Sequence, residues 1–396
     1  MIQRTVLKKL KELYKQPDIL ALVGARRVGK TTLMKLLYEK ESKPKEFMSF
    51  DDHEILRLFE ENIKEFAKLY EGKILFIDEF QYSKNGGKKL KYLYDLHNFK
   101  IIISGSSAPE LTIQSLNYLV GRVFVVEIPP ISFEEYIKYK DDKLISLIKN
   151  ITTETLPLIK PYFEEYLTYG GYPQVILEKT PEEKKQRLKQ IVDTYLLKEI
   201  RDILQFKDSV LFEKLLKLLA LEHGSMVNKS KLSSLLGISI PKLNEMLDVL
   251  TKTYVISLIK PYKNSKIKQL IKTPKLYFLD NGFRNTLLDN FKEINYRADK
   301  GFVYEGFILH SLLYKEKDVL FYNYKNSSEV DFLVDEVAIE VKSNLTKPKI
   351  ERGMYSFLDK YSPKDIIVYN ENVFEKEVFN EHKVNFKHFI EIFNIF

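Results

Sequence analysis

The chain has 396 residues, of which 44% are hydrophobic and 30% charged, with a net charge of +8. This length fits two to four domains, and the absence of cysteine excludes disulfides and thiolate metal sites and favours a cytoplasmic location. Since a membrane-spanning helix needs roughly 20 consecutive apolar residues and the sequence has no such run, we expect a soluble protein without a membrane partner.

The first third of the chain alternates short β-prone runs with helical patterns, as expected of a parallel sheet flanked by helices. The first, third and fourth runs are almost continuously apolar, which is typical of strands covered on both faces. We therefore predict an α/β fold for residues 1–135, in which Pro129 and Pro130 end the sheet. The predicted strands are Ile19–Val23, Phe47–Phe50, Ile74–Ile77, Ile101–Ser104 and Val123–Ile128.

Three further domains follow in the sequence pattern. Residues 136–205 have a helical pattern broken at Gly170–Pro173, and we interpret them as a helical lid. Residues 206–292 contain three predicted helices and two β-prone segments joined by a lysine-rich loop, which together describe a winged helix. Residues 293–396 begin with a helix and continue with strands.

Residues 24–31 match the phosphate-binding pattern G-x4-G-K-[ST] without a mismatch, between an apolar strand and a helix. Two glycines allow the loop to curl so that backbone N–H groups face phosphates at the positive end of a helix dipole. We expect Lys30 to reach the β- and γ-phosphates and Thr31 to help hold Mg²⁺. The predicted nucleotide-binding residues are Gly24, Ala25, Arg26, Arg27, Val28, Gly29, Lys30, Thr31 and Thr32.

A second motif places Asp78 and Glu79 at the end of an apolar strand. We expect Asp78 to bind Mg²⁺ and Glu79 to orient and polarise the attacking water. The next strand ends in hydroxyl residues, so Ser104 and Ser106 either sense the γ-phosphate or are ordinary turn residues. Together the two motifs predict an ATPase that uses ATP and Mg²⁺.

This motif series resembles the AAA+ superfamily, and more narrowly a prokaryotic group of AAA+ ATPases that is abundant in archaea. The resemblance implies a five-stranded core with a helical lid, and a homo-oligomer with ATP near subunit interfaces. It also implies that Arg122 is an arginine finger, whereas the alternative is an ordinary surface arginine. The stretches that carry the resemblance are Gly24–Thr32, Asp78–Gln81, Gly105–Ser107, Leu119–Arg122, Ile131–Tyr136 and Gly170–Pro173.

The segment from Thr251 to Leu279 contains seven lysines and no acidic residue, which is a pattern that attracts phosphate. With the net positive charge it predicts DNA as a partner of the winged helix. The alternatives are a solvated loop or a winged helix that contacts proteins. The predicted DNA-binding residues are Lys242, Lys260, Lys263, Lys266 and Lys268.

In the last domain, Asp331 followed by Glu340-Val-Lys342 resembles the PD-(D/E)xK restriction-endonuclease-like fold. The resemblance implies that Asp331, Glu340 and Glu305 hold a divalent metal, Mg²⁺ or Mn²⁺, with Lys342 as the catalytic lysine. Strand alternation also places Glu340 and Lys342 on one face of an otherwise apolar strand, where two charges need a partner. The alternatives are an exposed sheet edge or a fold that persists without activity.

These features predict an ATP-hydrolysing AAA+ protein that acts on DNA through a winged helix and a nuclease-like domain, with endonuclease activity as a second function to be tested. The alternative function is a nucleotide-controlled regulatory switch or protein-interaction module whose nuclease-like domain is catalytically inactive.

Overall fold

The computed structural model describes residues 2–105, 119–148, 151–196, 209–262, 269, 272–324 and 328–394. Their contacts divide the chain into two compact units. The first unit comprises Gln3–Ile131 and Leu247–Val255, and the second consists mainly of Ser132–Met246 and Ile256–Phe396.

The first unit is built on a parallel sheet of five strands among the described residues, with the order β2-β3-β4-β1-β5. Every residue of β1, β3 and β4 is buried, in agreement with their continuous apolar sequences. The predicted α/β core with a five-stranded parallel sheet is therefore confirmed. Its strands are β1 (Ile19–Val23), β2 (Lys45–Ser49), β3 (Ile74–Asp78), β4 (Ile101–Gly105) and β5 (Val123–Glu127). Its helices are α1 (Val6–Tyr14), α2 (Lys30–Lys40), α3 (His53–Glu61), α4 (Ile63–Leu69) and α5 (Gly86–His97).

Aromatic side chains fill the core of this first unit. Phe50, Phe59 and Phe80 pack around one another with ring centroids 4.9–6.0 Å apart. Tyr254, from the short segment Leu247–Val255, also packs against this core. The first unit therefore includes residues that follow the predicted lid by about 50 positions in the chain.

The second unit combines helices with a sheet of eight strands among the described residues, in the order β12-β13-β11-β10-β9-β8-β6-β7. No helix in the described parts of the chain is both long enough and apolar enough to span a membrane. The helices that begin after the first unit are α6 (Phe133–Lys140), α7 (Ile145–Ile148), α8 (Leu156–Tyr169), α9 (Pro173–Leu177), α10 (Pro181–Thr194), α11 (Ser209–Leu221), α12 (Lys229–Leu236), α13 (Ile240–Lys252), α14 (Asn281–Leu287), α15 (Lys300–Tyr314) and α16 (Arg352–Leu358). The strands are β6 (Ile256–Pro261), β7 (Lys275–Phe278), β8 (Leu320–Tyr324), β9 (Ser328–Val334), β10 (Val337–Val341), β11 (Asp365–Asn370), β12 (Lys376–Phe379) and β13 (His382–His388).

The β6–β7 hairpin is continuous with the carboxy-terminal sheet. The first four residues of β6 pair with β7 in antiparallel register, and Lys260 and Pro261 then pair with β8 in parallel register. Strands on both sides of the predicted domain boundary at residue 292 therefore share one sheet. The four domain ranges remain predictions, but the hairpin is not separate from the strands that follow that boundary.

The glycine turn at Gly170–Gly171 receives the buried carboxylate of Asp280. Gly171 N donates to Asp280 Oδ2 at 2.7 Å, and Phe283 N donates to Asp280 Oδ1 at 2.8 Å, which caps α14. Gly170 has φ +75°, and a Cβ added there would lie 2.3 Å from Asp280 Oδ1. The turn therefore needs glycine both for its backbone conformation and for the space that Asp280 occupies.

We expect Gly170→Ala to destabilise the protein by about 2–4 kcal/mol, because the alanine combines a strained backbone with a collision against a buried carboxylate. Denaturant unfolding of the purified variant measures this loss. Gly237→Ala is the matched control, since Gly237 also has a positive φ of +66° but no heavy atom lies within 4 Å of its added Cβ. The control should lose only about 1 kcal/mol, and equal losses in the two variants would contradict the packing argument.

Burial raises the pKa of Asp280 to about 6, while its backbone hydrogen bonds act in the opposite direction. The folded state therefore holds the proton more tightly than the unfolded state. The stabilising contribution of Asp280 is complete below about pH 4 and is lost as the pH rises through about 6.

We expect the free energy of unfolding of wild type relative to Asp280→Asn to fall by on the order of 2–3 kcal/mol between pH 4 and pH 7, since asparagine does not titrate. Parallel denaturant titrations of the two proteins across this range measure the difference. A difference that stays constant with pH would show that Asp280 keeps an ordinary pKa.

Candidate functional site

The loop between β1 and α2 has the backbone conformation that its glycines allow. Gly29 caps α2 with φ +99°, and Gly24 has φ +149°. A Cβ on Gly24 would lie 2.4 Å from the carbonyl oxygen of Ile128, so that position has no room for a side chain. The loop is thus curled at the N-terminus of an 11-residue helix, whose dipole favours anions there.

Lys30 lies inside this curl. Its Nζ donates to the carbonyl oxygens of Gly24 at 2.9 Å and Ala25 at 2.8 Å, and the side chain is 6% exposed. A buried ammonium at the mouth of a glycine loop fits the predicted contact with nucleotide phosphates. Thr31 and Thr32 follow Lys30 in the first turn of α2.

The sheet order brings the second motif to this loop. Strand β4 lies between β1, which leads into the loop, and β3, which ends at Asp78. Ser104 on β4 donates its hydroxyl to Asp78 Oδ1, and both side chains are buried. Ser104 therefore lies between the phosphate loop and the acidic motif. This is the position that the interpretation as a γ-phosphate sensor requires. Ser106 lies outside the described residues.

Glu79 follows β3 in a left-handed conformation with φ +53°. Burial raises the pKa of its carboxyl, while the Gln81 amide and the Arg26 guanidinium lower it. Gln81 Nε2 donates to Glu79 Oε2, so the amide holds the carboxylate that we expect to orient water. Gln81 was not among the predicted site residues, although its signal was present in the D-E-x-Q pattern.

Arg4 is a second residue that the sequence did not assign to the site. Its Nη1 donates to the carbonyl oxygen of Val28 at 2.9 Å, and its Nη2 donates to that of Pro129 at 2.6 Å. The guanidinium thus ties the phosphate loop to the segment that follows β5. An isolated arginine 24 residues before its partner carries no motif that could have indicated this contact.

Arg122 lies at the opposite edge of the sheet from the phosphate loop of its own chain. Ile19 N, at the start of β1, donates to the Arg122 carbonyl oxygen at 2.9 Å, whereas Gly24 follows the end of that strand. The guanidinium forms an ion pair with Asp95 at 2.7 Å and is 33% exposed. Because β1 spans roughly 16 Å, Arg122 does not approach its own loop. A role as an arginine finger would therefore require a second subunit and remains a prediction.

The lysines predicted to bind DNA are described only in part. Lys263, Lys266 and Lys268 lie outside the described residues. Lys260 is exposed on β6, whereas Lys242 is half-buried and forms an ion pair with Glu245 at 3.0 Å.

Lys275 corrects our interpretation of the lysine-rich segment, because its side chain is only 4% exposed. It therefore does not belong to a surface that could contact DNA.

The three predicted nuclease carboxylates lie in one neighbourhood of the second unit. Glu305 on α15 and Glu340 on β10 each interact electrostatically with Asp331 on β9. Strand β10 lies between β9 and β11 and is buried throughout, which excludes the exposed-edge alternative for Glu340. Lys342 Nζ forms an ion pair with Glu340 Oε1 at 2.7 Å.

These carboxylates accept hydrogen bonds and form ion pairs with groups of the protein itself. Tyr277 donates its hydroxyl to Glu305 Oε2 at 2.8 Å, and Val341 N donates to Asp331 Oδ2 at 2.8 Å. Lys275 forms ion pairs with Glu329 and with Asp331. Burial is the larger cause and the neighbouring Asp331 the second of a shift that raises the pKa of Glu305 and of Glu340 to about 8.

The predicted second metal does not fit this arrangement. Among the described residues, no three histidine or acidic side chains are grouped so that they could hold a metal ion. The Lys275 ammonium instead forms ion pairs with both Asp331 and Glu329. The set of Glu305, Asp331 and Glu340 therefore supports no metal-dependent cleavage step.

Family models match three parts of the chain. Residues 16–137 match a model described as an AAA domain. Residues 160–293 match a domain of unknown function (DUF8612), and residues 300–386 match a second domain of unknown function (DUF4143). The AAA-domain match and the geometry of the phosphate loop support an ATP-binding ATPase domain of the AAA+ type.

Two curated relatives extend over much of the chain. An uncharacterized protein of Methanocaldococcus jannaschii is 28% identical over 404 aligned residues, covering 94% of this chain and 86% of the relative. An uncharacterized protein of Haemophilus influenzae is 28% identical over 290 residues, covering 68% and 70%. Among solved structures, the Walker-type ATPase of Pyrococcus abyssi has a TM-score of 0.47 at 17% identity, covering 73% of this chain and 96% of that chain. Thermotoga maritima RuvB has a TM-score of 0.33 at 17% identity, covering 64% and 89%.

We expect Ser104→Ala to retain ATP binding but to lower the rate of ATP hydrolysis by about 10- to 100-fold, because the hydroxyl that holds Asp78 is lost. Steady-state phosphate release and equilibrium binding of a fluorescent ATP analogue measure the two properties separately. Ser42→Ala, a change in an exposed serine of the same unit, is the control. Wild-type turnover of Ser104→Ala would support the ordinary turn interpretation.

Proposed function

We propose that this protein is an Mg²⁺-dependent ATP hydrolase that works as a nucleotide-controlled switch. The observation that carries the proposal is the meeting of Lys30, Asp78, Ser104 and Glu79 at the carboxyl edge of one parallel sheet. In phosphoryl transfer the protein acts mainly by positioning the reactants and by stabilising the charge of the transition state. These four groups are of the types that can do both.

Each side chain has a distinct part in the proposed reaction. The curled loop and Lys30 bind the phosphates. Thr31 and Asp78 would hold Mg²⁺, which would neutralise negative charge on the nucleotide phosphates. Glu79 accepts a hydrogen bond from the attacking water and orients it. Gln81 acts as a positioning residue, since its amide fixes the Glu79 carboxylate.

We expect Lys30→Ala to lose tight ATP binding, because no other side chain of the loop supplies an ammonium inside the curl. Equilibrium binding of a fluorescent ATP analogue should show a fall in affinity of about 100-fold or more. Lys35→Ala, which removes a lysine five residues further along the same helix, is the control and should bind like wild type. Unchanged affinity of Lys30→Ala would contradict the proposed site.

We expect Glu79→Gln to bind ATP and Mg²⁺ as wild type does but to hydrolyse ATP at least 100-fold more slowly, because the amide does not polarise water. Single-turnover hydrolysis measures the chemical step directly. Glu71→Gln changes an exposed carboxylate of the same unit and should leave the rate unchanged. Wild-type turnover of Glu79→Gln would show that another residue orients the water.

A second candidate function, action on DNA, is favoured by the lysine-rich segment after α13. Residues 251–274 retain six lysines and no acidic residue when the buried Lys275 is set aside. Such a segment attracts the phosphate backbone without reading sequence. In this proposal the nucleotide-controlled switch regulates DNA binding. The nuclease-like arrangement in the carboxy-terminal sheet does not cleave DNA.

We expect DNA binding to weaken steeply with salt, with log Kd changing by about 0.9 for each phosphate contact per decade of salt. Fluorescence anisotropy with duplex, branched and single-stranded DNA, with and without ATP, measures this dependence. Replacing Lys260, Lys263, Lys266 and Lys268 by alanine should reduce the slope. Replacing Lys8, Lys9, Lys11 and Lys15 by alanine is the charge-matched control. Salt-independent or absent binding to all three DNA forms would leave the switch without DNA as its target.

A further inference from the structure

The carboxylates of Glu305, Glu329, Asp331 and Glu340 form a group that we name the carboxylate cluster. We infer that the Lys275 ammonium is the resident cation of this cluster and takes the place that a divalent metal would have in a nuclease-like site. The cluster is then a permanent anchor for strand β7 and not a centre for cutting phosphodiesters.

The position of Lys275 carries this inference. Its Nζ contacts Glu329 and lies 3.7 Å from Asp331 Oδ1, and the side chain is 4% exposed. The ring of Phe321 lies 5.5 Å from the same nitrogen. A buried ammonium is strongly unfavourable unless opposite charges surround it, and here two carboxylates do so.

Tyr277 adds a second donor from the same strand. Lys275 and Tyr277 are two residues apart on β7, so their side chains leave the same face of the strand. Lys275 forms ion pairs with Glu329 and Asp331, and the Tyr277 hydroxyl donates a hydrogen bond to Glu305 on α15. One short strand therefore supplies donors to three of the four carboxylates of the cluster.

Lys342 is the second cation of the cluster. It pairs with Glu340 Oε1, whereas Glu340 Oε2 is buried and has no hydrogen-bond partner among the described residues. With two lysines facing four carboxylates, a divalent ion would have to displace Lys275 from Asp331 before it could bind. Removal of Lys275 from the interior would leave the carboxylates of Glu329 and Asp331 without their ion-pair partner. This cost opposes the replacement of the lysine by a metal ion.

Manganese binding tests whether the lysine excludes a metal. In the absence of nucleotide, electron paramagnetic resonance of free Mn²⁺ gives the number of ions bound by wild type, Asp331→Asn and Glu305→Gln. We expect the three proteins to bind the same number, because no ion depends on the cluster. An Mn²⁺ ion that binds to wild type and is lost in either folded variant would overturn the inference.

Thermal unfolding tests whether the lysine is the counter-charge of the cluster. We expect Lys275→Met to lower the unfolding temperature by about 5–10 °C, because the carboxylates lose their cation. Lys260→Met, an exposed lysine of the same hairpin, should change it by about 1 °C or less.

A double-mutant cycle separates the charge from the packing of the lysine stem. Adding Asp331→Asn to Lys275→Met should recover part of the lost temperature, because fewer negative charges then lack a partner. Losses that simply add, or a Lys275→Met protein that unfolds at the wild-type temperature, would overturn the inference. If Lys275→Met does not fold, the Mn²⁺ comparison decides the question with wild type, Asp331→Asn and Glu305→Gln.

Discussion

The candidate ATP site depends on the insertion of β4 between β1 and β3. In a parallel sheet the carboxyl ends of neighbouring strands meet at one edge, so this order puts a hydroxyl from the middle strand beside groups from both neighbours. The contact of Ser104 with Asp78 is a direct result. With β4 at an edge of the sheet, the loop and the acidic motif would be adjacent, and no residue would bridge them from within the sheet.

Much of the first unit could be predicted because its information is local. Continuous apolar runs gave strand limits within two residues of those observed, and the phosphate loop was recognised from spacing alone. Helix caps are local as well: in the second unit, Asn228 accepts from Lys231 N at the start of α12, and Gly237 ends the same helix in a left-handed conformation. The roles of these residues in binding and hydrolysis remain predictions, because geometry alone does not measure them.

The contacts that sequence reasoning missed join residues far apart in the chain. Arg4 reaches Val28 and Pro129, Asp280 fills the turn at Gly170, and Lys275 enters the carboxylate cluster. In each case the residue type suggested a surface role, because arginine, aspartate and lysine are mostly exposed. Their partners become evident only when the sheet order is known. The same reason explains why Lys275 was assigned to a basic surface segment.

The ion pairs of Lys275 also limit how this protein can be divided or recombined. A fragment that begins at residue 293 would contain the carboxylates but neither Lys275 nor Tyr277, and the strand β8 would lose its neighbour β6. In such a fragment Glu305 would lose the Tyr277 hydroxyl, and Glu329 and Asp331 would lose the Lys275 ammonium. The exposed edge of β8 would favour association with other chains. The carboxy-terminal segment is therefore not an interchangeable module. A gene fusion or deletion that keeps the carboxy-terminal segment should therefore keep the β6–β7 hairpin as well.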